Sequence, residues 1–475
     1  MPNHNKTKIV ATLGPATDTK EILTELASNG VNVFRINFSH ADYEDVERKV
    51  KIIREINKEK GYNVAILADL QGPKLRVGVM EDDVILEDGD TFTFTTVKCI
   101  GTKEKAFMTY QRFPKDVKVG EAIMVDDGKL RFEVISTNKE NEVVVKVIVG
   151  GPLRSKKGVN LPNTAISLPA LTKKDMEDAV FAIGLDVDWF ALSFVRTPED
   201  LRMLRDLIAQ HSDYRIPIIA KIEKPEAVAN IDALIPYCDG LMVARGDLGV
   251  EIPMQDVPLI QKKLVRRAKR ARIPVIIATQ MMETMIDNPV PTRAEVNDVA
   301  NSIMDGADAV MLSGETSVGK FPIRVIQKMS EIIKAVENSK MIKVPQEPPH
   351  IRTNRFVTKS ICYHAALMAN DTDAAAICTL TNSGYTAFQI SSWRPRTHVL
   401  AFSTDKRILG KLNLLWGVRA FYYDKNLSTD DTVVDINNIA KEKGFVTSGD
   451  IIINLASMPV EARGMVNTLR VSEID

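Results

Sequence analysis

Eight short apolar runs recur through the first two thirds of the chain: KIVATLG (8–14), VNVFRINF (31–38), NVAILADL (63–70), VDWFALSF (187–194), IPIIAKIE (216–223), GLMVARG (240–246), PVIIATQ (274–280) and DAVMLSG (308–314). They are nearly continuous in apolar residues, without polar alternation, which marks strands buried on both faces. Between most of them lie amphipathic stretches of helical length, such as TKEILTELASNG and TRAEVNDVANSIMDG. Strand–helix alternation of this kind predicts a parallel sheet covered by helices. Eight units predict an α/β fold closed into a (β/α)8 barrel.

The rhythm breaks once. Between the third run and the helical pattern LTKKDMEDAVFAIG (171–184), the segments RVGVM, TFTFTTV, AIMVDDGKLRFEVIS and NEVVVKVIVG alternate apolar and polar residues, separated by EDGD, DDGK and NKEN turns. This predicts a small antiparallel β-barrel domain inserted into a barrel loop, where a mobile lid is useful. KVPQEPPHIRTN (343–354) is a Pro-rich, polar linker. Beyond it strands and helices alternate again and predict a separate open α/β domain. The expected division is therefore 1–72 and 170–342 for the barrel, 73–169 for the lid, 343–354 for the linker and 355–475 for the C-terminal domain.

Composition narrows the function classes. The 475 residues carry 62 Lys plus Arg against 62 Asp plus Glu, so no charge footprint favours nucleic acid or an anionic membrane. Cysteines 99, 238, 362 and 378 are widely spaced, against a zinc site or disulfide framework and in keeping with a reducing cytosol. MPNHNKTKIV has no apolar signal core and no run approaches a membrane span, so a cytoplasmic location is expected.

Candidate chemistry gathers at the strand ends, where barrels of this type place it. The runs end in Arg35, Asn37 and Ser39; Asp69; Ser193; Lys221 and Glu223; Arg245 and Asp247; Thr279; and Ser313 and Glu315. Side chains two apart on a strand share a face, so Arg35, Asn37 and Ser39 are expected to project together, as are Lys221 and Glu223. Glu223 and Asp247, from adjacent strands, suit a hard divalent cation such as Mg2+. Lys221 and Arg35 add fixed positive charge. A metal with Lys and Arg is what a phosphoryl or enolate oxygen requires as its charge develops. Taken alone, the Lys221–Glu223 pair reads more readily as a structural ion pair than as a site; polar groups converging from six or seven strands favour a site. His40 reads as a catalytic candidate or as a packing neighbour. GETSVGKF (314–321) nearly matches a phosphate loop, but Phe321 replaces the metal-binding hydroxyl.

Together with KIVATLGPAT, NVFRINFSHA, ADLQGPKLRVG, SKKGVNLP, IIAKIEKPEAV, GLMVARGDLGVEIP, VIIATQMMETM, PTRAEVNDVANSIMDGADAVMLSGETSVGKFP and NTLRV, these residues resemble the pyruvate kinase family over essentially the whole chain. The resemblance implies phosphoryl transfer from phosphoenolpyruvate to ADP, giving pyruvate and ATP. It implies Mg2+, or Mn2+ in its place, on Glu223 and Asp247, and a second Mg2+ arriving with ADP. Lys221, Arg35 and Thr279 take catalytic roles. Arg35, Gly246, Asp247, Thr279 and Ser193 bind substrate, with the Gly246 and Asp247 N–H groups on its carboxylate. Arg76, Lys157 and His40 serve the nucleotide. The resemblance also implies a homotetramer.

Two departures matter. Many family members hold K+ at positions matching Asn37, Ser39 and Asp69, with Thr at position 70 and an acid at 74. Leu70, Gln71, Lys74 and Val77 here resemble the branch that works without K+, Lys74 supplying the charge. In the C-terminal domain, TNSGYTAFQ makes Ser383, Gly384, Tyr385 and Thr386 a candidate cradle for a phosphorylated effector, or else a bare helix start. ASMPVEARGM lacks the Trp and Gly-rich run of members activated by fructose 1,6-bisphosphate. A Mg2+-dependent aldolase acting on pyruvate enolate and a non-catalytic metabolite sensor are the competing readings.

Overall fold

The computed structural model describes residues 5–475 apart from 163, 165, 340, 343, 345, 346, 350, 351, 426 and 459–464; the side chains of His40 and Thr429 also lie outside the description. Strands Lys8–Thr12, Val31–Asn37, Ala65–Leu70, Trp189–Leu192, Ile218–Ile222, Gly240–Ala244, Val275–Ala278 and Ala309–Leu312 form a closed barrel. All eight pairings are parallel, and the last strand closes on the first.

The apolar runs are continuous because each strand faces two cores. Val10, Val33, Leu67, Trp189, Ala191, Ile219, Met242 and Ile276 pack together inside the barrel. Ile9, Phe34, Ile66, Phe190, Ile218 and Ile277 pack outward against the helices. Those helices carry ordinary start signals. Thr172 and Asp175 form a capping box ahead of Lys173–Gly184, as do Thr292 and Glu295 ahead of Arg293–Met304.

The inserted segment forms a six-stranded sheet, ordered Val159–Asn160, Ala122–Val125, Leu130–Thr137, Glu142–Val149, Thr91–Thr95 and Lys105–Phe107, with a two-stranded ribbon of Ile85–Leu86 and Gly151–Pro152. Phe92, Phe94, Phe113 and Phe132 fill its core. Two details differ from the expected antiparallel lid. Thr91–Thr95 pairs with Lys105–Phe107 in parallel. RVGVM makes only single bridges, from Arg76, Val77 and Met80 to Gly158, Met108 and Gly101, because this connector divides its backbone groups among three partners.

The C-terminal sheet runs Val418–Tyr422, His398–Ser403, Ala376–Leu380, Ile451–Ala456 and Thr468–Glu473. The first four are parallel; Thr468–Glu473 adds an antiparallel edge, a strand that alternation of strands and helices does not foresee. Much of the expected linker, and most of the ASMPVEARGM loop, lie outside the described residues.

This domain plugs one end of the barrel. Leu414 joins the inner barrel core. Asn413 Nδ2 donates to the carbonyls of Asn32 (3.0 Å) and Asn63 (2.9 Å), and Arg394 pairs with Asp308 at 3.0 Å. All these partners lie at strand beginnings, so the C-terminal strand ends stay free for chemistry. No helix among the described residues is long and apolar enough to cross a membrane.

Candidate active site

The site follows from the period of a strand. On each of five strands, a residue of the inner barrel core is followed two positions later by a polar one: Val10 by Thr12, Val33 by Arg35, Leu67 by Asp69, Ala191 by Ser193 and Ile219 by Lys221. Residues i and i+2 share a face, so the apolar core gives way to a polar layer at the rim.

Asp69 is the hub of that layer and is 1% exposed. Its Oδ2 accepts from Arg35 Nε at 2.6 Å, and its Oδ1 lies 3.2 Å from Lys221 Nζ. Burial alone would raise this carboxyl; Lys221 and Arg35 outweigh burial and hold it below the usual carboxylate range. Lys221 Nζ also donates to Ser193 Oγ at 2.6 Å and lies 2.9 Å from Glu223 Oε1. Burial pulls its pKa down, but Asp69 and Glu223 raise it above the ordinary lysine value, so the ammonium stays charged at neutral pH. Ser193 Oγ in turn donates to the Leu70 carbonyl at 2.7 Å. Arg35 Nη1 donates to Thr12 Oγ1 at 3.0 Å, a partner with no sequence signal beyond its strand position.

Glu223 is 1% exposed, and its Oε2 accepts the Phe194 N–H at 2.8 Å. Burial raises its carboxyl; Lys221 opposes this, and the charge of Asp247 adds to it. The buried Glu223 and the exposed Asp247 repel each other, a donor set that a divalent cation relieves. Among the described residues there is no cluster of three or more His, Cys, Asp or Glu able to hold a metal. An ion on Glu223 and Asp247 would draw its remaining ligands from substrate and water, as Mg2+ does.

Asp247 and Gly246 open the helix Arg245–Glu251. The Gly246 N–H, expected to be free for substrate, donates to Thr279 Oγ1 at 2.7 Å. Thr279 has φ +68° and Gln280 φ +54°. For a β-branched residue that is a strained conformation of the kind that gathers at functional sites. Arg245 holds it: Nη2 donates to the Thr279 carbonyl and Nη1 pairs with Asp298, both at 2.7 Å. Sequence reasoning placed Arg245 at the rim without this role, because the turn after Ala278 carries no glycine to announce a left-handed residue.

Other predicted residues sit differently. Asn37 ends its strand, and Ser39 falls beyond it in the turn Phe38–His40, where its N–H donates to Asn37 Oδ1 at 3.2 Å. Regular strand alternation stops at Asn37, so it does not by itself set the direction of Ser39. Glu315 braces loops instead of joining the cluster: its carboxylate accepts the Met282 N–H at 3.1 Å and the Ser313 N–H at 2.7 Å. In the lid, Arg76 bridges to Gly158, and Lys157 pairs with Asp126 at 2.8 Å. Lys74 is exposed, and among the described residues no ion pair joins it to Asp69. The His40 side chain lies outside the described residues.

Comparisons with known proteins identify the family. Residues 4–326 match the model for "Pyruvate kinase, barrel domain" and residues 359–472 that for "Pyruvate kinase, alpha/beta domain". The chain belongs to the pyruvate kinase family. It is 42% identical to pyruvate kinase 2 of Synechocystis over 477 residues, covering 100% of this chain and 80% of the relative. It is 41% identical to the pyruvate kinase of Corynebacterium glutamicum over 467 residues, covering 98% and 97%. The crystal structure of a pyruvate kinase from Cryptosporidium parvum superposes with a TM-score of 0.92 at 33% identity, covering 99% of this chain and 97% of that one. Members of this family are phosphotransferases, so the chain is an enzyme of that class, and nothing supports the aldolase reading.

Proposed function

We propose that the chain transfers the phosphoryl group of phosphoenolpyruvate to ADP, giving pyruvate and ATP. The observation that carries this reading is the charged Lys221 ammonium fixed between Asp69 and Glu223 at the barrel rim, within a chain of the pyruvate kinase family. Glu223 and Asp247 would hold Mg2+. The ion supplies positive charge to the oxygens of phosphoryl group and enolate. Lys221 and Arg35 offer fixed cations to the phosphoryl in transit. Ser193 and Asp69 position Lys221. The Gly246 and Asp247 N–H groups take the substrate carboxylate, which then replaces the Thr279 hydroxyl on Gly246. The Thr279 hydroxyl, which donates to the Ala278 carbonyl at 2.6 Å, turns that proton to the substrate carboxylate and helps hand a proton to the enolate. Arg76, Lys157 and His40 meet the nucleotide phosphates, and lid closure keeps water from the phosphoryl group.

The reading extends to K+ independence. Among the oxygens that would hold a monovalent ion, Asp69 Oδ2 accepts from Arg35 Nε and Asn37 Oδ1 accepts the Ser39 N–H. Ser383, Gly384, Tyr385 and Thr386 form an effector site. Ser383, Tyr385 and Thr386 line a cavity of about 710 Å³ with Arg355 and Lys425, and Gly384 at φ +81° shapes the turn. A cytoplasmic homotetramer and the domain limits 1–72, 73–169, 170–342, 343–354 and 355–475 complete the proposal.

One experiment tests it: steady-state kinetics with phosphoenolpyruvate and ADP in Tris buffer free of K+, Na+ and NH4+, coupled to lactate dehydrogenase, with and without K+ and a panel of sugar phosphates and AMP. Pyruvate release without K+ is expected. Activity near zero until K+ is added overturns K+ independence; no activity under any condition overturns the function.

A further inference from the structure

We propose that Lys224, Glu251 and Asn160 form a buried three-way joint that positions the lid and the substrate-binding helix against the metal-binding carboxylates. The proposal rests on the reading above for the roles of lid and helix, but its geometry stands alone.

Each member belongs to a different structural unit. Lys224 directly follows Glu223. Glu251 is the last residue of the helix Arg245–Glu251, whose first turn holds Gly246 and Asp247. Asn160 lies on the lid strand Val159–Asn160, opposite Met124. A single oxygen joins them: Glu251 Oε1 lies 2.6 Å from Lys224 Nζ and accepts Asn160 Nδ2 at 2.8 Å. Lys224 and Glu251 are each 5% exposed. Glu251 Oε2 is buried with no hydrogen-bond partner among the described residues.

A buried ion pair is weak evidence for stability, since an apolar pair of similar volume often does as well. What it fixes is position. Asp247 and Glu251 are four residues apart and lie on one face of a rigid single helix of about two turns. Tilting the helix at Glu251 therefore displaces Asp247. Lys224 also reaches toward Phe194, 5.7 Å from its ring, and the Phe194 N–H holds Glu223 Oε2. The joint thus touches the support of both carboxylates. Asn160, Lys224, Phe194 and Asp247 together line a narrow cavity of about 50 Å³ between lid and barrel, so the joint lies where lid movement meets the site. Lys224, Glu251 and Asn160 are positioning residues; none is assigned contact with the reacting atoms.

The test uses the full chain with Asn160→Ala, Asn160→Gln and Glu251→Gln. Asn160 is half-buried, and its truncation removes one hydrogen bond while leaving the ion pair. Expected for Asn160→Ala is a rise of about tenfold in KM for ADP, the loss of one hydrogen bond to a charged acceptor, with kcat little changed. Asn160→Gln, which restores a donor, recovers part of it. Glu251→Gln, which misplaces the helix, is expected to lower kcat/KM for phosphoenolpyruvate by about tenfold or more. Hydrogen exchange at the 122–125 and 159–160 amides is expected to speed up in Asn160→Ala. Kinetic constants and exchange all within about twofold of the parent overturn the joint, whatever the melting temperature does. Faster exchange in Asn160→Ala, where the parent itself fails to turn over phosphoenolpyruvate, keeps the joint and overturns the function instead.

Discussion

Replacing Lys221 by Met removes an ammonium that lies 2.9 Å from Glu223, 3.2 Å from Asp69 and 2.6 Å from the Ser193 hydroxyl. At an effective dielectric of about 20, two unit charges ~3 Å apart attract by roughly 5 kcal/mol. Desolvation of the ammonium offsets part of this, and removing one partner of a buried pair costs about 3–5 kcal/mol. Asp69 keeps Arg35; Glu223 keeps only neutral donors and faces Asp247. Its carboxyl, already raised by burial, rises further. A group whose folded pKa exceeds its unfolded value contributes stability that is present below the unfolded pKa and lost as pH rises through the folded one. The deficit of Lys221→Met relative to the parent is therefore largest at neutral pH and shrinks as Glu223 takes up a proton. Mg2+ at about 100 times its Kd restores roughly 2.7 kcal/mol. Activity does not return with it. The lost cation withdraws about 4 kcal/mol of charge stabilisation from the transition state, roughly a thousandfold in kcat. Urea denaturation across pH 5–8, with and without Mg2+, reads the first effect. The lactate dehydrogenase–coupled assay on folded protein reads the second. A deficit independent of pH, or turnover within about tenfold of the parent, refutes the reasoning.

Glu223→Gln keeps an acceptor for the Phe194 N–H but loses the charge. The Mg2+ concentration for half-maximal rate is expected to rise by about tenfold or more while the melting temperature holds or increases, because a neutral amide is easier to bury than a carboxylate. An unchanged Mg2+ titration counts against the metal assignment. Arg245→Lys cannot reach both Asp298 and the Thr279 carbonyl, since one ammonium does not replace a planar fork. A fall of about tenfold in kcat/KM for phosphoenolpyruvate is expected as Thr279 relaxes from its left-handed conformation, and parent-like kinetics would remove Arg245 from the site.

What could be read from the sequence was what strand periodicity carries. Continuous apolar runs fixed the barrel because its strands are buried on both faces, and the step from Ile219 to Lys221 located the rim. The same rule gives no support at Ser39, two residues after regular strand geometry stops at Asn37. Contacts between elements distant in sequence carried no period and were not legible. Leu414 in the barrel core, Arg245 on the Thr279 carbonyl and Asn160 on Glu251 are single side chains meeting across folded units. The edge strand Thr468–Glu473 lies in the same class, being antiparallel in a sheet whose local pattern announces parallel strands.

That division has a physical consequence for the site. Residues found by periodicity, Arg35, Asp69, Ser193 and Lys221, hang from the barrel itself and are tied to one another, so their geometry is set when the barrel closes. Asp247, Thr279 and the lid residues hang from short turns and a single helix, and are held by contacts that periodicity cannot see. Their strain, in the left-handed Thr279, is stored outside the barrel walls. On the proposed function, substrate rearranges the Gly246–Thr279 contact without disturbing the Lys221–Asp69–Glu223 charges. A rigid charged floor under an adjustable carboxylate clamp suits a reaction whose phosphoryl group must meet fixed charge while its two substrates arrive and leave.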